Sequence, residues 1–152
     1  DVQFVLVGGG TELMEMQLLN KKMHLEEYVT FTGRIPDQTM LEVLNTADIC
    51  INPDTYNSMN DKSTMNKVMK YMALGKPIVQ YDLTEGKFSA QNASLYARPN
   101  DPIDLADKIL YLLNNHQKRK EMSEYGYRRV REELHWGIEA PKYLSVFEKL
   151  LK

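Results

Sequence analysis

The sequence predicts an α/β domain built on a doubly wound parallel sheet, and three observations lead there. Short apolar runs alternate with stretches of helical periodicity. Each connection between successive apolar runs is long enough for a crossover. Parallel strands are covered on both faces and therefore read as continuous apolar stretches, as Phe4-Val-Leu-Val7 and Ile49-Cys-Ile51 do.

The first strand is Phe4-Val-Leu-Val7; Gly8-Gly-Gly10 turns the chain into an amphipathic helix over 11–23. A second strand at 29–31 is closed by Gly33, and Asp37-Gln-Thr-Met40 starts a helix that carries Leu41, Val43 and Leu44 and ends before Asp48. Strand 49–51 stops at Asn52-Pro53, and a polar loop covers 54–61. The stretch from Ser63 to Val79 reads as one loop-helix-turn-strand unit. Met65, Val68, Met69, Met72 and Ala73 recur at helical spacing, with Ser63 or Thr64 available as N-cap. Gly75 takes the left-handed conformation that ends the helix, and Pro77 opens a strand at 78–79. After a loop holding Asp82, Glu85 and Gly86 comes a short strand, Ser94-Leu-Tyr-Ala97. Helices then fill 102–114, 117–133 and 139–151, the first opened by Asp101 as N-cap and Pro102 at its first position.

Composition narrows the function classes. At 152 residues, 43% hydrophobic and 26% charged, the chain describes one globular domain over 1–152. With 19 basic against 21 acidic residues and a net charge of -2, nothing favours nucleic acid as a partner. Cys50 is the single cysteine, so it has no internal disulfide partner and belongs to no metal-ligand cluster. His24, His116 and His135 are scattered, which argues against a metal site or a catalytic triad. The methionines read as core filler, and Trp136 as the anchor of the last helix. A cytoplasmic location is expected, since no signal region or membrane span is seen. The basic runs Lys118-Arg-Lys120 and Arg128-Arg129-x-Arg131 read as solvated helix faces, with peripheral contact to an anionic membrane as the alternative.

Doubly wound sheets bind ligands beyond the carboxyl ends of their strands, where the loops 8–11, 33–36, 52–64 and 82–88 belong. The glycine run lacks the third spaced glycine of a dinucleotide fingerprint and reads as a tight turn. The central helix is more telling. Unpaired N–H groups near Ser63, Thr64, Met65 and Asn66, reinforced by Lys62 and Lys67, suit a phosphate or diphosphate.

Taken in order, these segments resemble the C-terminal, nucleotide-sugar-binding half of a GT-B glycosyltransferase, most similar to family 4, also called group 1. The resemblance runs through Phe4-Val-Leu-Val-Gly8-x-Gly10, Val29-x-Phe31-x-Gly33-x-Ile35-Pro, Asp48-Ile-Cys-Ile-Asn-Pro53 and Lys67-x-x-x-Tyr71-Met-Ala-x-Gly75-Lys-Pro77-Ile-Val79. It continues through Pro99-x-Asp101 to His135-Trp136. It implies a Rossmann-like fold and a nucleotide-diphosphate sugar as substrate, with no resident cofactor. Gly33, Arg34 and Ile35 would border the base; Ser63, Thr64, Met65, Asn66 and Lys67 would receive the diphosphate; Glu85 and Gly86 would face the sugar or diphosphate.

The chain departs from that family in its Glu-x7-Glu pattern, where Lys62 and Lys70 stand instead. A lysine offers only donors where the second glutamate accepts from ribose hydroxyls. Asp61 can either supply the first carboxylate or serve as a loop acid capping the helix start. Set against the family, the chain is expected to lack the first strand of this half and the N-terminal domain that takes a glycan or lipid-linked acceptor. The expected function is donor binding in a retaining glycosyltransferase. The alternatives are a non-catalytic nucleotide-sensing or interaction module and a nucleotide-sugar epimerase.

Overall fold

The computed structural model describes residues 2–151, and the chain divides into two compact units, Asp1–Val43 and Leu44–Lys152. In the first unit β1 (Phe4–Val7), α1 (Leu13–Lys22) and β2 (Val29–Gly33) form a βαβ motif. The strands pair in parallel, Phe4 opposite Val29 and Val7 opposite Gly33. No side chain of β1, β2 or α1 is fully buried. Helix α2 (Asp37–Thr46) follows in the chain.

The second unit carries β3 (Cys50–Asn52), α3 (Asn66–Ala73), β4 (Ile78–Tyr81), α4 (Thr84–Ala90) and β5 (Ser94–Ala97), then α5 (Pro102–Leu113), α6 (His116–Glu132) and α7 (Trp136–Leu150). Its sheet has the order β3-β4-β5, all parallel, with Asn52 opposite Gln80 and Gln80 opposite Tyr96. β4 is central, and every one of its residues is buried, as a parallel strand covered on both faces must be. Its alternation sorts the core into two clusters. Val79 and Tyr81 pack with Leu105, Leu112 and Met122, while Ile78 packs with Val68 and Met72 of α3 and Ala90 of α4. Gln80 shares the Ile78 face. The parallel strands predicted from sequence are thus present in both units.

α3 ends as its glycine requires. Gly75 has φ +62, its N–H donates to Met72 O at 2.9 Å, and Lys76 N–H donates to Tyr71 O at 2.8 Å, the paired bonds of a Schellman motif. Other expectations need correction. The N-cap of α3 is Met65 rather than Ser63 or Thr64, because both hydroxyls donate elsewhere: Ser63 Oγ to Met59 O at 2.6 Å, and Thr64 Oγ1 to Glu85 Oε1 at 2.8 Å. Glu85 and Gly86 lie in α4, not in a loop. Helix α7 begins at Trp136 because His135 Nδ1 caps it by accepting from Gly137 N–H at 3.0 Å.

Several side chains also differ from expectation. Trp136 is 68% exposed and rests on Tyr143 of its own helix, so it does not anchor α7 in the core. Met72 and Met122 do fill the core, but Met14 and Met59 are exposed. Arg129 is not solvated: it is buried, donates to Ser89 O and Phe88 O at the end of α4, and pairs with Glu133.

Candidate functional site

The loops leaving β3 and β4 at their carboxyl ends are tied together by side chains. Asp61, in a 3-10 turn at Asn60–Lys62, accepts from Thr84 N–H at 2.8 Å and from Thr84 Oγ1 at 3.1 Å. Its carboxylate therefore caps α4 from 23 residues upstream, since α4 has Leu83 at its own N-cap and no local side-chain cap. Glu85 accepts from Thr64 Oγ1 at 2.8 Å and from Ser89 Oγ at 3.1 Å. The segment that leads into α3 is thereby held against the first turn of α4.

What this segment leaves open is the start of α3. Among the described residues, no hydrogen-bond acceptor meets the N–H of Met65, Asn66 or Lys67. The other helices of the unit differ: Asp61 serves α4, Asp101 serves α5, Asn115 serves α6 and His135 serves α7. The open N–H groups carry the positive end of the helix dipole. Lys62 and Lys70 are exposed, and neither ammonium has an ion-pair or hydrogen-bond partner among the described residues. Lys67 is committed instead, at 2.7 Å, to Asp54. Asn66 is exposed, and Met65 packs against the Val68 cluster.

Behind this opening lies a buried pair of amides that sequence reasoning does not single out. Asn52 Nδ2 donates to Gln80 Oε1 at 3.2 Å, and Gln80 Nε2 donates to Gly86 O at 3.3 Å. The side chains are 2% and 1% exposed, and Asn52 Oδ1 has no donor among the described residues. The one signal in the sequence is a glutamine directly after Ile78-Val79, which reads as the end of a strand but sits inside one.

Gly33, Arg34 and Ile35 belong to the other unit. Gly33 has φ +64, and its carbonyl accepts from Gly8 N–H at 2.9 Å, so the loops after β1 and β2 meet there. Arg34 is exposed and Ile35 half-buried. A cleft of 360 Å³ beside Gly8, Gly9 and Gly10 is bordered by Met16 and Phe31. In the larger unit a cleft of 380 Å³ lies at the opposite, amino end of the strands. Two of its bases are engaged by backbone: Lys76 donates to Asn45 O and Ala47 O, and Arg119 to Leu112 O and Leu113 O.

Burial governs two weak acids, Cys50 of β3 and Tyr71 of α3. The Cys50 thiol is pushed up to about 11 by desolvation, opposed by Lys76, and remains protonated at neutral pH. The Tyr71 hydroxyl is pushed up to about 12 by desolvation, then by the neighbouring Cys50 and Asp54. Neither is a nucleophile in this state.

The model of the group 1 glycosyl transferases matches residues 1–115. The chain belongs to that family. A curated relative of this chain, an uncharacterized glycosyltransferase of Methanocaldococcus jannaschii, is 22% identical over 149 residues, which are 97% of this chain and 37% of that protein. Among solved structures, sucrose-phosphate synthase of Thermosynechococcus elongatus superposes with a TM-score of 0.85 at 23% identity, over 98% of this chain and 38% of its own. Anabaena HepE, solved with UDP and glucose, gives 0.84 at 17% identity over 97% and 41%. S. aureus TarM, solved with UDP, gives 0.82 at 21% over 96% and 29%. These likenesses show the fold, that of the GT-B glycosyltransferases. This chain spans well under half the length of each of these proteins.

Proposed function

We propose that this glycosyltransferase chain binds the sugar donor, and that the whole protein transfers the sugar from a nucleotide diphosphate to a glycan or lipid-linked acceptor with retention of configuration. The observation that carries the reading is the uncapped start of α3 in a unit where α4 to α7 each have a side chain on a first-turn N–H. The N–H groups of Met65, Asn66 and Lys67 would meet the diphosphate, with Thr64 held beside them by Glu85. The same groups stabilise the charge that builds on the diphosphate as it leaves. They are fixed in advance and need no reorganisation, so the reading needs no resident metal or cofactor.

The structures of HepE and TarM, which hold UDP, support a nucleotide as the ligand class. For Gly33, Arg34 and Ile35 the base-binding role rests on the family resemblance alone. The acceptor is taken by a domain outside this chain, and peripheral membrane contact accompanies the lipid-linked case.

Lys70 favours a second reading, a nucleotide-sensing or interaction module of the same fold. It is an exposed cation on α3 with donors only, where the family pattern has an acceptor. Calorimetric titration of UDP, GDP and ADP into the full-length protein and its Lys70→Glu variant separates the two. Binding by the native protein supports the donor site; binding only after Lys70→Glu means that Lys70 disables the site; binding by neither favours the interaction module.

A further inference from the structure

The buried amides connect the sheet to the opening of α3 by an unbroken route. Asn52 closes β3 and holds the oxygen of the Gln80 amide; Gln80 then presents its Nε2 to the carbonyl of Gly86. Gly86 directly follows Glu85, whose carboxylate holds Thr64, and Thr64 precedes the first of the open N–H groups. The fit has no slack, since a Cβ on Gly86 would come 2.9 Å from Gln80 Oε1. A buried amide pair costs desolvation that an apolar pair of the same size avoids, and its return is a fixed direction. Position 80 shares a face with Ile78, among apolar residues of α3 and α4, where a leucine or methionine packs at lower cost.

We propose that Gln80 is a positioning residue for the diphosphate site. It fixes the height of the first turn of α4 over the sheet and, through Glu85 and Thr64, the direction of the N–H groups at the start of α3. This rests on the reading of that helix end as the donor site. It adds a residue which touches no ligand but sets how well the site is formed beforehand.

The test compares Gln80→Met, which keeps length and apolar bulk but removes both amide bonds, with Ser94→Ala. The latter removes a buried hydroxyl bonded at 3.2 Å to Ile78 O, away from the route. Two readouts are taken on the full-length protein: amide hydrogen exchange without ligand, and titration with UDP, GDP and ADP. Gln80→Met should raise exchange at the hydrogen-bonded amides of Ser63, Val68 and Thr84 about tenfold and weaken nucleotide binding by about as much, while Ser94→Ala lowers overall stability and moves neither. Gly86→Ala attacks the same amide bond from the helix, should act alike, and serves if Gln80→Met does not fold. Unchanged exchange at Ser63 and Val68 in these variants overturns the proposal. Native protein that binds none of the nucleotides, with exchange at Ser63 and Val68 still raised in the variants, overturns the donor reading and leaves the coupling standing.

Discussion

The starts of α3 and α5 have nearly the same backbone and opposite chemistry. Met65 and Asp101 both sit in extended conformations, at φ -87, ψ 108 and φ -106, ψ 95. Asp101 turns its carboxylate onto the N–H groups of Ile103 and Asp104 at 3.1 and 3.0 Å, and Pro102 removes one further donor. Met65 has no oxygen to offer and turns into the core instead. The difference shows what each helix relies on. α5 is closed by its own sequence, whereas α3 is held by what it packs against, through Val68 and Met72, and leaves its first donors open.

Removing the packing should therefore hurt α3 most. Met72 is 0% exposed, and Met72→Ala should cost about 2–5 kcal/mol in urea unfolding. Alkali attacks the same packing more gently. Cys50 in the folded protein titrates near 11 against an ordinary 9.0, so above that lower value the unfolded chain loses its proton first. The stability held by the neutral thiol is complete below pH 9 and lost as pH rises through about 11, about 2–3 kcal/mol in all. Tyr71, raised from 10.0 to about 12, adds loss of the same sign at higher pH. Urea midpoints between pH 8 and 10.5 should fall with a steeper slope in the native protein than in Cys50→Ala.

Two substitutions exchange the characters of the helix starts. Met65→Asp should close α3. Its new carboxylate cap and the forfeited burial of the methionine side chain offset to within about 1 kcal/mol, while UDP binding weakens about 10–100-fold, read by calorimetry. Asp101→Ala should open α5 at a cost of about 1 kcal/mol in thermal unfolding and leave UDP affinity unchanged. Loss of nucleotide affinity on opening α5 would mean that the two helix starts do not divide their roles as described.

Much of this was legible in the sequence because its signals are local. Apolar runs marked β1 to β5, Gly75 marked the end of α3, and Asp101-Pro102 marked the start of α5. What escaped was set by distant groups. Helix α4 takes its cap from Asp61, across 23 residues, so no neighbouring residue announces it. Ser63 and Thr64 look like caps for α3, but their hydroxyls are claimed by Met59 O and Glu85. Gln80 looks like a strand end because its partners, Asn52 and Gly86, are brought to it only by folding. Arg129 belongs to a basic run that reads as solvated, until the end of α4 arrives to receive it.

The most direct measurement is a titration of the isotopically labelled full-length protein with UDP, followed through its backbone amide resonances. The expected result is that the largest shifts fall at Met65, Asn66 and Lys67, with the resonances of Ile103 and Asp104 unmoved. Saturable UDP binding that leaves the amides of 65–67 in place would contradict it.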